Sequence, residues 1–498
     1  MEPVLTPDEM RAADAATIAG GVAEPELMDR ASFACAMVAL RMLGGAYGKR
    51  VVVVAGKGNN GGDGIMCAGH LSARGVHTTV VRTEAWSTDE FERSAAPADL
   101  VIDAILGTGF SGAPRDDVAA AIAAINGSNK PVLAVDIASG VSGADGTIPG
   151  DAVKADVTVA IQALKVGHVA APGALRAGRI DVADIGIAVT DARTFAPSAR
   201  DVRAALPETK PDTHKYEVGA LAVLAGSAGM TGAAVLTARA AIRAGAGLVI
   251  LGVPSSTLEV FENAVLEAIK VPLPEAEGQL EAKAVDEFAD RLERCKALAI
   301  GPGLGRGPRA VAVVRRALDV ELPMVIDGDG LWALAEIMRD EPDVIRERAH
   351  PCVLTPHSGE FSYLAGSAPR DDRVNHTREA SDRWGAVVHL KGRRAITAAP
   401  DGTVWVNTTG NPGAATGGTG DVLTGIVGSL LAQGAAPEAA MWSGAFLHGT
   451  AADVVASRLG ERALRASDLP EALPQALRYV ERSRFVTGKI RTVLPSAS

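Results

Sequence analysis

The chain has 498 residues, of which 47% are hydrophobic and 22% charged, a length and composition typical of a globular protein with two domains. Its net charge of −10, with no basic cluster, argues against a nucleic-acid partner and favours small-molecule chemistry. Four widely spaced cysteines, no visible signal peptide and no apolar run near the roughly 18 residues of a membrane span predict a cytoplasmic protein with reduced thiols and no membrane partner.

The first part of the chain has the pattern of alternating helices and strands. Thr6-Pro-Asp-Glu9 is a capping box with proline at the first helical position, so it predicts a helix through Met10 to about Ile18. Continuous apolar runs are typical of buried parallel strands, and three occur here: Val51–Ala55, Leu100–Asp103 and Val132–Asp136. The helical stretch Val118–Ile125 completes a βαβ unit.

Polar loops follow these three strands. In such sheets the ligand lies beyond the carboxyl ends of the strands, so the loops should converge on one edge. The first loop contains Asn59-Asn-Gly-Gly-Asp63, for which the alternative is a tight turn that uses Asn and Gly for positive φ. Asp103, Asp136 and Ser139 are expected at the same edge. Their oxygens suit a hard cation, and a paired acid and base there could move protons on a bound substrate.

The pattern lapses between about residues 190 and 210, where Pro197, Pro207 and Pro211 occur, and a second α/β series follows. We therefore predict an α/β protein with two domains, residues 1–200 and 205–498. The apolar runs predicted as strands of the second domain are Ala220–Ala225, Ala297–Ile300, Met324–Ile326, Cys352–Leu354 and Ala386–Leu390.

The last loop of the series, Asn411–Asp421, is rich in small residues and precedes an apolar segment. Small residues let a backbone approach a ligand closely, and the first amides of a helix attract phosphate oxygens. Asp421, at the predicted helix start, is the one carboxylate of the loop. The alternative is a glycine-rich turn with an aspartate N-cap. Because the loop is long and has partners upstream, we interpret it as an active site.

Three upstream segments supply those partners. Lys391 follows a predicted strand and could neutralise a nucleotide phosphate, although alone it is more typical of a solvated lysine. His357 is either a catalyst or a hydrogen-bonded loop histidine. Asp327 and Asp329 could assist Mg²⁺, but we favour a role as caps of the following helix.

The motifs of the first domain resemble the epimerase domain of the NAD(P)H-hydrate repair enzymes, the YjeF N-terminal domain. The matching stretches are Leu27–Ala31, Gly58–Gly64, Asp103–Gly109 and Val135–Gly140. The resemblance implies a Rossmann-like doubly wound fold and a K⁺ ion held by Asn60, Asp103 and Ser139. The residues that it implies for contact with the hydrated nicotinamide nucleotide are Asn59, Asn60, Gly61, Gly62, Asp63, Gly107, Thr108, Gly109, Phe110, Ser111, Gly112, Ala113 and Asp136, with Asp136 catalytic.

The motifs of the second domain resemble the partner of that epimerase, the ribokinase-like ADP- or ATP-dependent NAD(P)H-hydrate dehydratase. The matching stretches are His214–Gly219, Ala225–Ser227, Thr231–Ala234, Gly301–Gly305, Thr355–Glu360, Lys391–Gly392 and Asn411–Asp421. The resemblance implies Mg²⁺ and a nucleotide site at Lys391, Gly392, Arg393, Arg394, Ala395, Ala415, Thr416, Gly417, Gly418, Thr419 and Gly420. It places Ala233, Gly303, His357 and Asp421 against the hydrate.

The resemblance also implies a reaction. The hydrate has a hydroxyl on the ring carbon next to the nicotinamide nitrogen. Asp421 would accept the hydroxyl proton while the oxygen attacks the terminal phosphate of ADP, and elimination of the phosphate ester would regenerate NADH or NADPH, leaving AMP and phosphate. The first domain would interconvert the R and S hydrates, NADHX and NADPHX, because the dehydratase accepts only the S form. We expect a homo-oligomer.

Two alternatives remain open at the level of sequence. One is a ribokinase-like kinase for a small hydroxymethyl vitamin precursor, which would release a stable phosphate ester. The other is a nucleotide-sensing or scaffold protein without turnover, for which Asp136 and Asp421 would be unnecessary.

Overall fold

The computed structural model describes residues 1–208, 214–483 and 489–494, which form two compact units. The first unit comprises residues 1–196 together with 489–494, and the second comprises residues 197–208 and 214–483. Within the described ranges, no helix is both long enough and apolar enough to cross a membrane.

The first unit alternates strands and helices. Its strands up to residue 196 are β1 (Glu2–Leu5), β2 (Arg50–Ala55), β3 (His77–Arg82), β4 (Leu100–Ala104), β5 (Val132–Val135), β6 (Val157–Ile161), β7 (Leu164–Lys165), β8 (Arg179–Ala183) and β9 (Thr194–Ala196). Its α-helices are α1 (Pro7–Ala19), α2 (Glu24–Leu43), α3 (Asn59–Ser72), α4 (Thr88–Ala95), α5 (Asp116–Gly127) and α6 (Val166–Val169).

The main sheet of this unit has the strand order β8-β6-β5-β4-β2-β3, and all of these pairs are parallel. Side chains alternate between its faces along β2: Val51 and Val53 belong to one buried cluster, Val52 and Val54 to another. The first cluster includes α2 and α3 and the second includes α4 and α5. The sheet is therefore covered on both faces, which explains the continuous apolar runs and confirms a doubly wound fold.

The second unit is a larger α/β assembly. Its helices are α7 (Ala199–Ala205), α8 (Lys215–Val218), α9 (Thr231–Arg243), α10 (Leu258–Ala264), α11 (Lys283–Glu287), α12 (Ala289–Leu292), α13 (Pro308–Ala317), α14 (Asp329–Asp340), α15 (Ser358–Ala365), α16 (Arg373–Trp384), α17 (Thr419–Ala432), α18 (Pro437–Leu459) and α19 (Asp468–Glu481). Its strands are β10 (Ala220–Leu224), β11 (Leu248–Pro254), β12 (Ile269–Leu273), β13 (Glu275–Ala276), β14 (Gln279–Leu280), β15 (Ala297–Ile300), β16 (Met324–Ile326), β17 (Cys352–Leu354), β18 (Val387–Leu390), β19 (Ile396–Ala398) and β20 (Val404–Val406).

Strands β12-β11-β10-β15-β16-β17-β18 of this unit are parallel in that order, and β19 and β20 extend the sheet antiparallel. Ala220, Ala222 and Leu224 of β10 pack into one large core. On the other face, Leu221 lies under Gly428 of α17. The parallel strands place the loops after β15, β16, β17 and β18 at one edge, beside the start of α17.

The C-terminal segment differs from the predicted division of the chain. We predicted a second domain that runs from 205 to 498, but β21 (Ile490–Leu494) pairs antiparallel with β8 of the first unit. Arg491 also forms an ion pair of 2.6 Å with Glu2. The unpaired edge of β8 explains this return of the chain. The first boundary falls at 196, close to the predicted 200; Pro211 and residues 495–498 lie outside the described residues.

The strands and helices predicted from the apolar runs are confirmed. Thr6 and Glu9 form the reciprocal capping box of α1, which ends at Ala19, one residue beyond the predicted Ile18. Val118–Ile125 lies within α5. Local signals were sufficient here because cap chemistry and hydrophobic period agree with the tertiary environment.

Candidate functional site

A cavity of about 1050 Å³ lies in the first unit at the carboxyl ends of β2, β4 and β5. The predicted substrate residues that line it are Asn59, Asn60, Asp63, Gly107, Thr108, Gly109, Phe110, Ser111, Ala113 and Asp136. Gly61, Gly62 and Gly112 are not among its lining residues. The sheet edge predicted from the loops is therefore where the cavity is found.

The asparagine–glycine motif forms the first turn of α3, not a tight turn with positive φ. Gly61 has a packing role, since a Cβ there would lie 1.9 Å from the carbonyl oxygen of Gly56. This close approach presses the start of α3 onto the end of β2. It also brings Asn60 within reach of the neighbouring strands, where its Nδ2 donates to the carbonyls of Leu106 (2.7 Å) and Val135 (3.1 Å).

The three residues predicted to hold a cation form one buried cluster. Ser139 donates to Asp103 from its Oγ (2.6 Å) and its backbone amide (2.8 Å). Burial raises the pKa of Asp103 to about 6, and the buried Oδ1 of Asn60 has no hydrogen-bond partner. A carboxylate that has no cationic partner among the described residues, together with an unsatisfied amide oxygen, fits a hard cation. The described residues contain no group of three or more His, Cys, Asp or Glu side chains arranged for a metal, so such a site depends on neutral oxygens.

Asp136 lies directly after β5 with φ of +64°. Its carboxylate accepts from the ammonium of Lys165 (2.5 Å), the hydroxyl of Thr108 (3.2 Å) and the amide of Ile161 (3.2 Å). Burial alone would raise the pKa of Asp136, but the charge and hydrogen bond of Lys165 lower it below its usual value. Asp136 is therefore a carboxylate that faces the cavity.

Lys165 and His168, which support Asp136 from the segment after β6, are not among the residues predicted from the sequence. The available signal was the run Val157–Ile161, a further parallel strand whose carboxyl end also meets this edge. Two apolar residues separate Lys165 from His168, and the pair cannot be distinguished from surface residues without knowing that β7 is buried.

The carboxyl groups of Asp14, Glu24 and Asp117 also line this cavity, and so does that of Asp63, in the first turns of α3. Asp63 is 8% exposed, and its Oδ1 has no hydrogen-bond partner. Burial and the nearby negative charge of Asp136 raise its pKa to about 7. Asp63 and Asp136 thus differ in protonation although both face the same space.

In the second unit, Lys391 forms a buried charge cluster after β18. Its ammonium lies 2.6 Å from Asp327 and 3.4 Å from Glu360, and Thr424 of α17 donates to the other oxygen of Asp327 (2.8 Å). These contacts exclude a solvated lysine. They also correct our expectation for Asp327, which does not cap α14; that expectation was wrong because a buried ammonium competes for the carboxylate.

Asp329 does not cap α14 either. It is the first residue of that helix, whose N-cap is Gly328 without a side-chain cap. Its carboxylate accepts from the amide of Gly305 (3.0 Å) and from Arg306 (3.1 Å). It therefore fixes the glycine-rich loop Gly301–Gly305 next to the start of α14.

The loop before α17 adjoins this cluster. A Cβ at Gly420 would lie 3.3 Å from Nζ of Lys391, so the two predicted nucleotide segments are neighbours. Asp421 is in the first turn of α17 and is not its N-cap. Burial and repulsion from Asp327 raise the pKa of Asp421 to about 7, which makes its carboxyl group a proton acceptor near neutral pH.

The remaining predicted nucleotide residues surround these groups in two turns. One connects β18 to β19, and Arg373 of α16 fixes it by donating to the carbonyls of Lys391 and Arg393, both at 3.1 Å. The residues of this turn are Lys391, Gly392, Arg393, Arg394 and Ala395. The other turn leads into α17 and contains Ala415, Thr416, Gly417 and Gly418, with Thr419 and Gly420 as the first helical residues.

The predicted hydrate contacts lie on the neighbouring elements. A Cβ at Gly303 would lie 3.0 Å from that of Ala233. Thr237 donates to the carbonyls of both Ala233 (3.0 Å) and Asp421 (3.1 Å), which links α9 to α17. His357 is the N-cap of α15; its Nδ1 accepts from the amides of Gly359 and Glu360. His357 is therefore a hydrogen-bonded loop residue; its Nε2 lies 3.5 Å from Oε1 of Glu360, and 58% of its side chain is exposed.

A doubly wound unit whose cavity is lined by Asp63 and Asp136, and a larger α/β unit with an aspartate at a glycine-rich helix start, define a two-domain enzyme. Comparison with known proteins agrees with this class. A family model described as NAD(P)H-hydrate dehydratase matches residues 221–475, and one described as YjeF-related protein N-terminus matches residues 24–93 and 81–167.

Curated relatives match along most of the chain. The bifunctional NAD(P)H-hydrate repair enzyme Nnr of Moorella thermoacetica is 39% identical over 471 residues, covering 87% of this chain and 88% of its own. The enzyme of the same name from Mycobacterium tuberculosis (strain CDC 1551 / Oshkosh) is 39% identical over 444 residues, covering 86% and 88%. The chain belongs to the family of bifunctional NAD(P)H-hydrate repair enzymes, which confirms the resemblance seen in its motifs.

A solved structure of a ribokinase-like superfamily protein from Enterococcus faecalis V583 shares the fold of the second unit. It is 22% identical with a TM-score of 0.51 and covers 59% of this chain and 98% of its own. The predicted ribokinase-like fold is confirmed.

Proposed function

We propose that this chain performs metabolite repair in two steps. The first unit interconverts the R and S hydrates of NADH and NADPH, and the second dehydrates the S form with ADP, giving AMP and phosphate. The observation that supports this most strongly is the carboxyl group of Asp421, placed in the first turn of α17 beside the buried Lys391.

The dehydratase step begins with the hydrate hydroxyl at Asp421. This carboxylate takes the hydroxyl proton as the oxygen attacks the terminal phosphate of ADP, and the amides of residues 417–420 stabilise the transferred phosphoryl group. The ring nitrogen then supplies electrons to expel phosphate, and loss of a proton from the adjacent ring carbon gives the reduced nicotinamide. Because the pKa of Asp421 is about 7, its carboxylate can accept the hydroxyl proton near neutral pH.

Electrostatics around Asp421 favour a nucleotide that brings Mg²⁺. Asp327, Asp329 and Glu360 all raise the pKa of Asp421, whereas Lys391 alone lowers it. Mg²⁺ usually binds through one or two carboxylates together with substrate phosphates. An excess of carboxylates over one ammonium fits that pattern, and the cation would offset the charge of the phosphates.

K⁺ in the first unit has a separate role in this proposal. The Asn60 Oδ1, the Asp103 carboxylate and the Ser139 hydroxyl would hold it. It would supply positive charge to a buried cluster that borders the substrate loop after β4. The chain's own residues, Asp63 and Asp136, then face the hydrate.

The test mixes purified protein with both NADHX epimers and ADP, ATP or neither, and follows the absorbance of the reduced nicotinamide. We expect the absorbance of the reduced nicotinamide to recover fully only when a nucleotide is present. Comparison of the rates with ADP and with ATP identifies the preferred nucleotide. Asp421→Asn should abolish recovery while nucleotide binding, measured by calorimetry, is retained. A stable phosphate ester of the substrate would refute the dehydratase and support the kinase. Sedimentation of the same preparation tests the predicted homo-oligomer.

A further inference from the structure

Lys165 is the most deeply buried cationic side chain near the cavity of the first unit, with 1% of its side chain exposed. Its ammonium donates to the Asp136 carboxylate (2.5 Å) and to the carbonyl of Ile161 (2.7 Å). Both Lys165 and Asp136 line the cavity. A buried ion pair is costly to desolvate, so one that faces a cavity indicates a purpose other than stability.

His168 fixes the backbone of this pair. Its Nδ1 accepts from the amide of Lys165 (2.9 Å), so its Nε2 carries the hydrogen that is donated to the carbonyl of Asp136 (2.8 Å). Burial lowers the pKa of His168 to about 4, which keeps the ring neutral. Lys165 and Asp136 are therefore held together both through their side chains and through a neutral imidazole.

Asp63 approaches the same cavity from α3 without any such support. Its Oδ1 is buried and has no hydrogen-bond partner. The two carboxyl groups have opposite surroundings, since one is fixed by an ammonium and the other is desolvated beside a negative charge. Pairs of titratable groups with opposed environments are typical of an acid and its partner base.

We propose that Lys165 is a positioning residue that holds Asp136 as the proton acceptor of the epimerase and thereby leaves Asp63 as its proton donor. This inference rests on the proposed epimerase activity. It assigns a reason for the burial of the Lys165 ammonium, whose side chain is 1% exposed.

The chemistry follows from the substrate. A hydroxyl on the carbon next to a ring nitrogen is a hemiaminal. Asp63 gives its proton to the hydroxyl, the carbon–oxygen bond breaks, water leaves, and the nitrogen lone pair forms a carbon–nitrogen double bond. Water then adds to the opposite face of that carbon while Asp136 takes its proton. The proton returns from Asp136 to Asp63 through solvent, and the reverse reaction uses the same steps in the opposite order.

Other titratable groups bear on this pair from the surrounding helices. They are Asp14 of α1, whose pKa burial raises, and the thiols of Cys35 on α2 and Cys67 on α3, both kept neutral because burial raises their pKa. With Asp63 near pKa 7 and Asp136 below its usual value, the epimerisation rate should be flat in mild acid and fall above about pH 7.

The experiment uses the full chain without nucleotide, so that only the first unit acts. Purified R-NADHX is added, and formation of the S epimer is followed by chromatography from pH 5 to pH 9, with the uncatalysed rate subtracted. Lys165→Met should lower kcat by about 10²-fold or more at neutral pH. It should also shift the acid limb of the pH–rate profile to higher pH, because the Asp136 carboxylate is no longer paired with the Lys165 ammonium. Asp63→Asn should lower kcat similarly and remove the alkaline limb. Nucleotide-dependent dehydration of the S epimer should be unchanged in both.

The possible outcomes distinguish the proposed epimerase activity from the positioning role of Lys165. If the wild type does not interconvert the epimers, the proposed function fails and this inference with it. If it does, and Lys165→Met keeps the wild-type rate and pH optimum, only the positioning role is overturned. If Lys165→Met does not fold, the pH profile of Asp63→Asn is the deciding measurement. A rate that still falls above about pH 7, as in the wild type, overturns the assignment of Asp63 as proton donor. Loss of that fall supports the assignment.

Discussion

Removal of the Asp421 carboxylate, the proposed base of the dehydratase, should stabilise the second unit in a way that depends on pH. Asp421→Asn replaces a desolvated acid by a neutral group of nearly the same shape. In the folded protein, burial and repulsion from Asp327 raise the pKa of Asp421 from 3.8 to about 7. Folding therefore opposes ionisation of this residue, a cost that is consistent with the proposed role of Asp421 as a base.

The sign and the size of the effect of Asp421 on the free energy of unfolding follow from proton linkage. Between pH 3.8 and 7 the folded state keeps a proton that the unfolded chain has released, so the wild type loses stability as the pH rises through this window. The penalty is about 2 kcal/mol at pH 5.5 and reaches about 4 kcal/mol above pH 8, at 1.36 kcal/mol per pKa unit. Asp421→Asn avoids it and should be more stable than the wild type by up to these amounts.

The assay is urea unfolding at pH 5.5 and pH 8.5, followed by tryptophan fluorescence. Trp332, Trp384, Trp405 and Trp442 all lie in the second unit and only Trp86 lies in the first, so the signal reports mainly on the second. The exposed Asp343 supplies the control Asp343→Asn, which should change neither curve. A gain that is equal at both pH values, or a loss at pH 8.5, would refute the reasoning.

Three further predictions concern other parts of the chain. Lys391→Met leaves the Asp327 carboxylate, with 3% of its side chain exposed, without a cation, so it should cost about 3–5 kcal/mol of unfolding free energy and weaken ADP binding in calorimetry. Gly64→Ala should destabilise the first unit by about 1–3 kcal/mol in denaturant unfolding, because the new Cβ would lie 2.4 Å from that of Ala104 on β4. Replacing K⁺ by tetramethylammonium should slow epimerisation, measured by chromatography, and leave nucleotide-dependent dehydration unchanged.

Each of these has a matched control. Lys391→Met combined with Asp327→Asn should recover most of the stability but not ADP binding; recovery of both would contradict a role for the ammonium at the nucleotide. Gly69→Ala, in the same helix with open space around it, should be neutral or stabilising by up to about 1 kcal/mol, and equal effects at both glycines would exclude a steric cause. An epimerisation rate that does not change when K⁺ is replaced would contradict a K⁺ site at Asn60, Asp103 and Ser139.

The sequence alone determined the main strands and helices and the family. Capping at Thr6, the continuous apolar runs and the glycine-rich loop before Asp421 are local signals, and each has a local physical cause. Because parallel strands bring their carboxyl ends to one edge, the succession of strands along the chain was enough to predict that Asp103, Asp136 and Ser139 would lie at the same edge of the sheet.

Tertiary structure decided the electrostatic roles. Asp327 next to a helix start looks like a cap until Lys391, 64 residues later, is found buried against it. The proposed role of Lys165 depends on the burial of β7 and on its hydrogen bond to Asp136. Strand β21 returns to the first unit because β8 has a free edge. Burial and partner charge depend on contacts between distant segments, and those two quantities set which carboxyl group holds a proton and which does not.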